Sequence, residues 1–162
     1  MKSRIRQALD RLAAMLRGSI VVLALTMLVA LALQIFMRFF VGQALAWSEE
    51  LALACFSWSM LLAIALGVRE AVHVRMDLLV DCLPAPLHRA LERLVSLAVA
   101  SLGLFIAWAG VNYVIDSIGT TSAAIGYPIA YLYACAPVSG ALIAVFALER
   151  AVLGTPQLKV PT

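Results

Sequence analysis

The sequence predicts an all-α integral membrane protein with four transmembrane helices and with both termini in the cytoplasm. Three observations carry this prediction: an apolar composition, four long stretches without charge, and basic residues gathered in alternate connections. Of the 162 residues, 64% are hydrophobic and only 13% are charged, and the mean hydropathy is +1.01. A soluble domain of this length has too much surface to cover with so few polar side chains.

The charge-free stretches set the positions of the helices, because about 20 residues of α-helix cross a hydrocarbon core of about 30 Å. Three stretches have a length suited to one helix each, namely residues 18–37, 51–68 and 94–115. The fourth, 117–148, is longer, but Gly119, Gly126 and Pro128 favour a loop over its first part. We therefore predict a single membrane domain over residues 1–162, with transmembrane helices at 18–41, 47–69, 90–115 and 128–153.

The distribution of basic residues orients these helices. Of the twelve Lys and Arg residues, all but Arg38 lie before the first charge-free stretch, between the second and third, or after the fourth. Loops rich in Lys and Arg stay in the cytoplasm. The three segments agree, so both termini and the connection between the second and third helices are expected inside.

Two segments are expected to lie along the inner membrane surface. Residues 1–17 place Leu9, Leu12 and Leu16 at helical spacing with arginines between them, which is typical of an interfacial amphipathic helix on anionic lipid. Residues 76–83 form a second candidate, a short surface helix between the second and third transmembrane helices. A solvated connecting loop is the alternative for this second segment.

Charged residues at the outer edge form the first candidate site. Arg38 ends the first helix, and Glu49 and Glu50 begin the second after a short turn. A lone arginine near hydrocarbon costs up to about 3 kcal/mol, so it needs a partner or water. We predict an ion pair between Arg38 and Glu49 or Glu50 that holds the two helices together. The functional alternative is a pathway for protons or cations.

Polar residues at the inner edge form the second candidate site. They follow the second helix and include Arg69, His73, Asp77 and Asp81. We interpret them as a polar joint that fixes where the chain leaves the membrane, with a solvated run of charges as the alternative. Both histidines of the chain lie at the membrane edge, which disfavours haem ligation.

The sequence also predicts how several residues in the apolar stretches pack. Trp58 and Trp108 have indole N–H groups that need a partner when buried, although exposure to lipid is as plausible. Small residues favour close helix packing in lipid, and they recur as Ala63, Gly67, Gly103, Ala107, Ser139 and Gly140. Pro137 predicts a kink in the last helix. The three cysteines, Cys55, Cys82 and Cys135, are expected to be reduced packing residues.

Motifs of catalysis are missing from the sequence. There is no HExxH, Walker loop, GxSxG or metal-ligand cluster. We therefore expect no enzyme activity, no catalytic or substrate-binding residue, no bound metal or cofactor, and no nucleic-acid partner. The centres of the predicted helices are also almost free of charge, whereas ion-coupled transport pathways need polar groups near the midplane. This favours a partner or scaffold over a pump.

Residues 33–84 resemble the small permease subunit, of the DctQ type, of tripartite ATP-independent periplasmic (TRAP) transporters. The shared elements, in chain order, are Gln34, Arg38, Trp47, Glu49, Glu50, Phe56, Trp58, Gly67, Arg69, His73 and Asp77. The final third fits more loosely, through Thr120, Thr121, Gly126, Pro128, Tyr131 and Pro137. Single elements are moderately specific, and their order is more so.

The resemblance implies a bacterial inner-membrane subunit that braces a large permease subunit and meets a periplasmic substrate-binding protein. It also implies uptake of an organic acid, with sodium coupling and the substrate site in the large subunit. Membrane lipids are the remaining expected partners. Two other functions stay open. One is a stand-alone proton-coupled exporter that uses Glu50, and the other is a membrane anchor of a redox complex.

Overall fold

The protein is all-α in a computed structural model that describes residues 2–42, 45–70 and 85–153. Its helices are α1 (Lys2–Phe40), α2 (Ala46–Glu70), α3 (Ala85–Asp116), α4 (Ala130–Tyr133) and α5 (Cys135–Leu153). Within these residues the only extended pairing is an isolated bridge between Thr121 and Pro128. The predicted surface helix at 76–83, together with His73, Asp77, Asp81 and Cys82, lies outside the described residues.

Among the described residues, four segments are long and apolar enough to cross a membrane, in agreement with the predicted number. They are Arg6–Phe40, Ala46–Glu70, Ala90–Asp116 and Ala130–Val152. The segments after the first agree with the predicted helices to within a few residues.

Helix α1 differs from the prediction because it is one unbroken helix. The sequence predicts an interfacial helix at 1–17 and a transmembrane helix at 18–41, whereas the structure has no boundary between them. Gly18 is the only helix-weakening residue at the expected junction, and one glycine costs only about 1 kcal/mol. The helix ends where Val41 N donates to Met37 O at 3.0 Å and Gly42 takes a φ of 71°, as in common helix C-caps.

The last membrane segment is interrupted at Ala134, between α4 and α5. Pro137 lies three residues further on and has no N–H to donate to the carbonyl of Tyr133. In a regular helix its ring would also crowd that carbonyl. The interruption therefore falls where the predicted proline kink places it.

The chain divides into two compact units, each of which has its own core. The first contains Met1–Ala63 and Asn112–Cys135, and the second contains Ile64–Val111 and Ala136–Thr162. In the first, Ser48, Ala52, Cys55 and Leu62 are buried. In the second, the core is built from Ala65, Ala100, Ile143, Ala144, Phe146 and Ala147, and Phe146 is completely buried.

Two glycines bring α3 and α5 into backbone contact within the second unit. A Cβ atom added to Gly140 would lie 2.6 Å from Ala107 N and 2.8 Å from Gly103 O. One added to Gly103 would lie 2.9 Å from Gly140 O. These distances are shorter than real Cβ contacts, so the predicted small-residue packing of Gly103, Ala107 and Gly140 is confirmed.

Candidate functional site: two charged clusters at the ends of the second helix

The first cluster, here called the Glu50 clamp, joins the start of α2 to the loop between α3 and α4. It consists of Glu50, Ser122, Ala124 and Ile125. The Ser122 hydroxyl donates to Glu50 Oε2, Ala124 N donates to Oε1 at 2.9 Å, and Ile125 N donates to Oε2 at 3.2 Å. One carboxylate thus accepts three hydrogen bonds from a short segment of loop, and charge-assisted bonds of this kind are the stronger ones.

The loop is shaped so that its amides can reach this carboxylate. Gly119 and Gly126 have φ values of 92° and 75°, which glycine adopts at little cost. Ser122 N donates to Tyr127 O at 2.9 Å, and Ile129 N donates to Thr120 O at 3.1 Å. The predicted loop over this part of the chain is therefore confirmed, and its backbone hydrogen bonds close it into a hairpin-like turn.

Tyr127 lies beside this clamp, half-buried and outside the membrane-spanning segments. Burial raises the pKa of the Tyr127 phenol, and the negative charge of Glu50 raises this pKa further. The phenol is therefore neutral near neutral pH, and it does not add a second negative charge next to the carboxylate.

The predicted ion pair between Arg38 and Glu49 or Glu50 is absent from the described residues. Instead, Gln34 Nε2 donates to Glu49 Oε1 at 2.6 Å, and Glu50 is taken by the loop. Gln34 and Arg38 are four residues apart and share one face of α1. The side-chain amide of Gln34, one turn before Arg38, binds Glu49 of α2. Arg38 is exposed near the end of α1, where its long side chain can reach water.

The two tryptophans of α2 have different surroundings. Trp58 Nε1 donates to Tyr131 O at 3.2 Å, so the indole has a hydrogen-bond partner and connects α2 to α4. Trp47 is 40% exposed and is one of the large apolar side chains left uncovered. Trp108 is also exposed, beside the Phe105 ring.

Replacing Glu50 with glutamine is expected to loosen the loop without unfolding the helices. The neutral amide accepts weaker hydrogen bonds than the carboxylate, a difference of about 1 kcal/mol per bond. Amide hydrogen exchange at Ala124 and Ile125 should therefore become about five- to tenfold faster. Glu49→Gln is the matched control, because Glu49 does not bind the loop. Equal exchange rates in the Glu50→Gln variant and the wild type would show that the clamp does not hold the loop.

The second cluster, here called the Arg69 cluster, consists of Arg69, Glu149 and Arg150 at the ends of α2 and α5. Arg69 Nε lies 3.1 Å from Glu149 Oε2, and Nη2 lies 3.5 Å from Oε1. The two side chains are only 7% and 1% exposed. The guanidinium also lies over the Phe146 ring, 5.6 Å from its centroid, which adds a cation–π contact.

Arg150 completes the cluster from the last turn of α5. Its Nη1 donates to Val68 O at 3.0 Å. Val68 is near the end of α2, where the last four carbonyls of a helix have no intrahelical partner. Arg150 therefore caps α2, and Arg69 binds α5, so the two helix ends are cross-connected.

The structure places the predicted residues in three groups. Gln34, Glu49, Glu50 and Trp58 make contacts that join elements of the first unit, and Arg69 joins α2 to α5 in the second. Arg38 and Trp47 are exposed. His73, Asp77 and Asp81 lie outside the described residues.

The partners Ser122, Glu149 and Arg150 were not predicted from the sequence. The predicted topology could have revealed the last two, because it ends the second and fourth helices on the same side. Over the ranges that the structure describes, no group of three or more His, Cys, Asp or Glu side chains could hold a metal ion.

Comparison with known proteins identifies a family. Residues 25–156 match the model of the family described as tripartite ATP-independent periplasmic transporters, DctQ component. The C4-dicarboxylate TRAP transporter small permease protein of Rhodobacter capsulatus is 32% identical over 104 residues, which cover 63% of this chain and 46% of the relative. The ectoine TRAP transporter small permease protein of Halomonas elongata is 29% identical over 102 residues, covering 62% and 53%.

A third relative is similar over a shorter segment. The C4-dicarboxylate TRAP transporter small permease protein of Pseudomonas aeruginosa is 40% identical over 57 residues, which cover 35% of this chain and 27% of that protein. The matched segments thus span about a quarter to a half of the length of these relatives. The family match itself covers most of this chain and includes both clusters, so the chain belongs to the DctQ component family of tripartite ATP-independent periplasmic transporters, as a multi-pass small permease protein.

Proposed function

We propose that this chain is the small membrane subunit of a TRAP-type secondary transporter in the bacterial inner membrane, with both termini in the cytoplasm. It braces a large permease subunit during sodium-driven uptake of an organic acid, which a periplasmic binding protein delivers. The sodium sites and the substrate site belong to the large subunit.

The observation that carries this proposal is that charged side chains among the described residues bind other parts of the same chain. Glu50 accepts hydrogen bonds from the chain's own loop, and Arg69 pairs with Glu149 of the chain's own last helix. The long stretches 18–37, 51–68, 94–115 and 117–148 have no charged side chain. A subunit that carried ions would need ionisable groups near the midplane. Here the ionisable groups hold helices and a loop in place, which suits a brace.

The surface of α1 supports the same proposal. Only 6% of the most apolar 18-residue part of α1 is buried, and large side chains such as Val22, Leu25 and Val29 are exposed. This apolar face is available to lipid and to a large membrane partner. The small side chains along the α3 and α5 contact serve the chain's own packing instead.

Purification from native membranes tests the proposed partnership. A tag on this chain should co-purify a large hydrophobic permease in mild detergent. In proteoliposomes, sodium-driven uptake should require both membrane subunits and the periplasmic binding protein. The relatives named for C4-dicarboxylate and ectoine transport make these two solutes the first to test.

Two results would contradict this proposal. One is that the chain extracts alone from native membranes, with no large permease beside it. The other is proton-driven transport by this chain alone, which would support the exporter. In that case Glu50→Gln should abolish transport, whereas Glu49→Gln, the matched control, should not.

A further inference from the structure

The Nε–H donor of Arg150 has no hydrogen-bond acceptor in the described part of the chain, although the side chain is buried. The residue is 9% exposed, and its Nε is a buried nitrogen without a hydrogen-bond partner among the described residues. A buried donor left without an acceptor costs about 1–3 kcal/mol, and more when the group is charged. The contact from Nη1 to Val68 O and the C-terminal ends of α2 and α5 favour a cation here. None of these contacts satisfies Nε.

Arg69 shows which groups bind the edge of a guanidinium that carries Nε. Arg69 uses Nε and Nη2 together to hold the two oxygens of Glu149, in the side-on geometry that suits carboxylate and phosphate. On Arg150 the Nε of the corresponding edge is unpaired. Since Glu149 is held by Arg69, and Arg150 makes no ion pair within the described ranges, Arg150 brings a positive charge that lacks a counter-charge there.

We propose that Arg150 binds the phosphate of a membrane phospholipid at the ends of α2 and α5. Arg150 is three residues from the end of α5, and Val68 is two residues from the end of α2. Both positions fall at the ends of membrane-spanning segments, where lipid phosphates surround a protein. The predicted topology puts these ends on the cytoplasmic side, where basic sites between helices take anionic headgroups.

Binding requires a movement of the Arg150 side chain. Nε is shielded from solvent, so the guanidinium must move toward the helix ends to present its free edge. The long arginine stem permits this movement, as it does when arginines reach for the membrane interface. A carboxylate of another protein subunit has similar chemistry, and it is the competing occupant that the test must distinguish.

The test measures lipid retained by the full-length chain in mild detergent, using native mass spectrometry after removal of bulk lipid. Dioleoylphosphatidylglycerol is the probe, and dioleoylglycerol, which lacks the phosphate, is its matched control. The wild type should retain on the order of tenfold more phosphatidylglycerol than Arg150→Gln, as expected for losing a charge-assisted contact. Arg93→Gln removes an exposed arginine and should retain lipid as the wild type does.

A second variant guards against misfolding of Arg150→Gln. Arg150→Lys keeps the charge but lacks the planar fork, so it should fold and retain an intermediate amount of lipid. Equal retention by the wild type and both Arg150 variants would overturn the proposal, as would equal retention of dioleoylglycerol.

Two further results would exclude lipid as the occupant. Inorganic phosphate that displaced the lipid and stabilised the chain equally well would point to a free oxyanion. Loss of the large subunit in Arg150→Gln, with lipid retention unchanged, would point to a protein carboxylate. The measurement of retained lipid does not depend on the proposed transport function, because it is made on the chain alone.

Discussion

Replacing Glu149 with leucine is expected to lower the free energy of unfolding by about 3–5 kcal/mol, because it removes the buried carboxylate that binds the Arg69 guanidinium. Arg69 and Glu149 are almost fully buried, at 7% and 1% side-chain exposure, and are held by two contacts between α2 and α5. Removing one partner of such a pair costs more than the pair itself contributes. Unfolding by denaturant in detergent micelles, followed by tryptophan fluorescence, measures the loss.

A double variant separates the ion pair from simple packing. Arg69→Met combined with Glu149→Leu removes both charges, so it should be closer to the wild type than Glu149→Leu alone. Asp116→Leu is the matched control: this carboxylate is exposed, and its loss should change stability by less than about 0.5 kcal/mol. Stability of Glu149→Leu within that same margin would mean that the ion pair does not hold the two helix ends.

Replacing Gly140 with alanine is expected to force α3 and α5 apart. The added Cβ would lie 2.6 Å from Ala107 N and 2.8 Å from Gly103 O, and both are backbone atoms that cannot rotate away. Overpacking of this kind costs about 1–3 kcal/mol, and a valine should cost more. The same unfolding experiment measures the effect, and a lower yield of folded protein in detergent should accompany it.

Gly18 provides the matched control for this substitution. It is also a glycine within a helix, but nothing lies within 4 Å of a Cβ added there. Gly18→Ala should therefore stabilise α1 by about 0.5–1 kcal/mol through helix propensity. If Gly140→Ala were as stable as Gly18→Ala, close approach of α3 and α5 would not contribute to the fold.

The membrane architecture was predictable because it depends on the total hydropathy of long stretches and not on any single side chain. The lengths of charge-free stretches gave the four spans, and Gly119, Gly126 and Pro128 gave the loop before the last one. Contacts of single side chains were harder to predict. Gln34 and Arg38 share a helix face, and only the geometry shows that the amide, rather than the arginine, meets Glu49.

The same distinction applies to the two clusters. Glu50 was identified as a candidate, but two of its partners are backbone amides of Ala124 and Ile125, and every residue except proline has such an amide. Nothing in the identity of these residues marks them as donors. For Arg69, in contrast, the sequence carries the partner as Glu149, the first charge after the long uncharged stretch 117–148. Pairing the ends of the second and last helices would have found it.

The unbroken course of α1 has a mechanical consequence. At 1.5 Å per residue, a helix over Lys2–Phe40 is about 58 Å long, roughly twice the thickness of a hydrocarbon core. A helix in one piece cannot cross the bilayer and also lie flat on its surface unless it bends. The tilt of α1 in the membrane therefore determines how deep its N-terminal arginines lie. A thinner bilayer favours a larger tilt and would bring those arginines closer to the lipid headgroups. A change in bilayer thickness around the membrane-spanning part of α1 would thus move its N-terminal end.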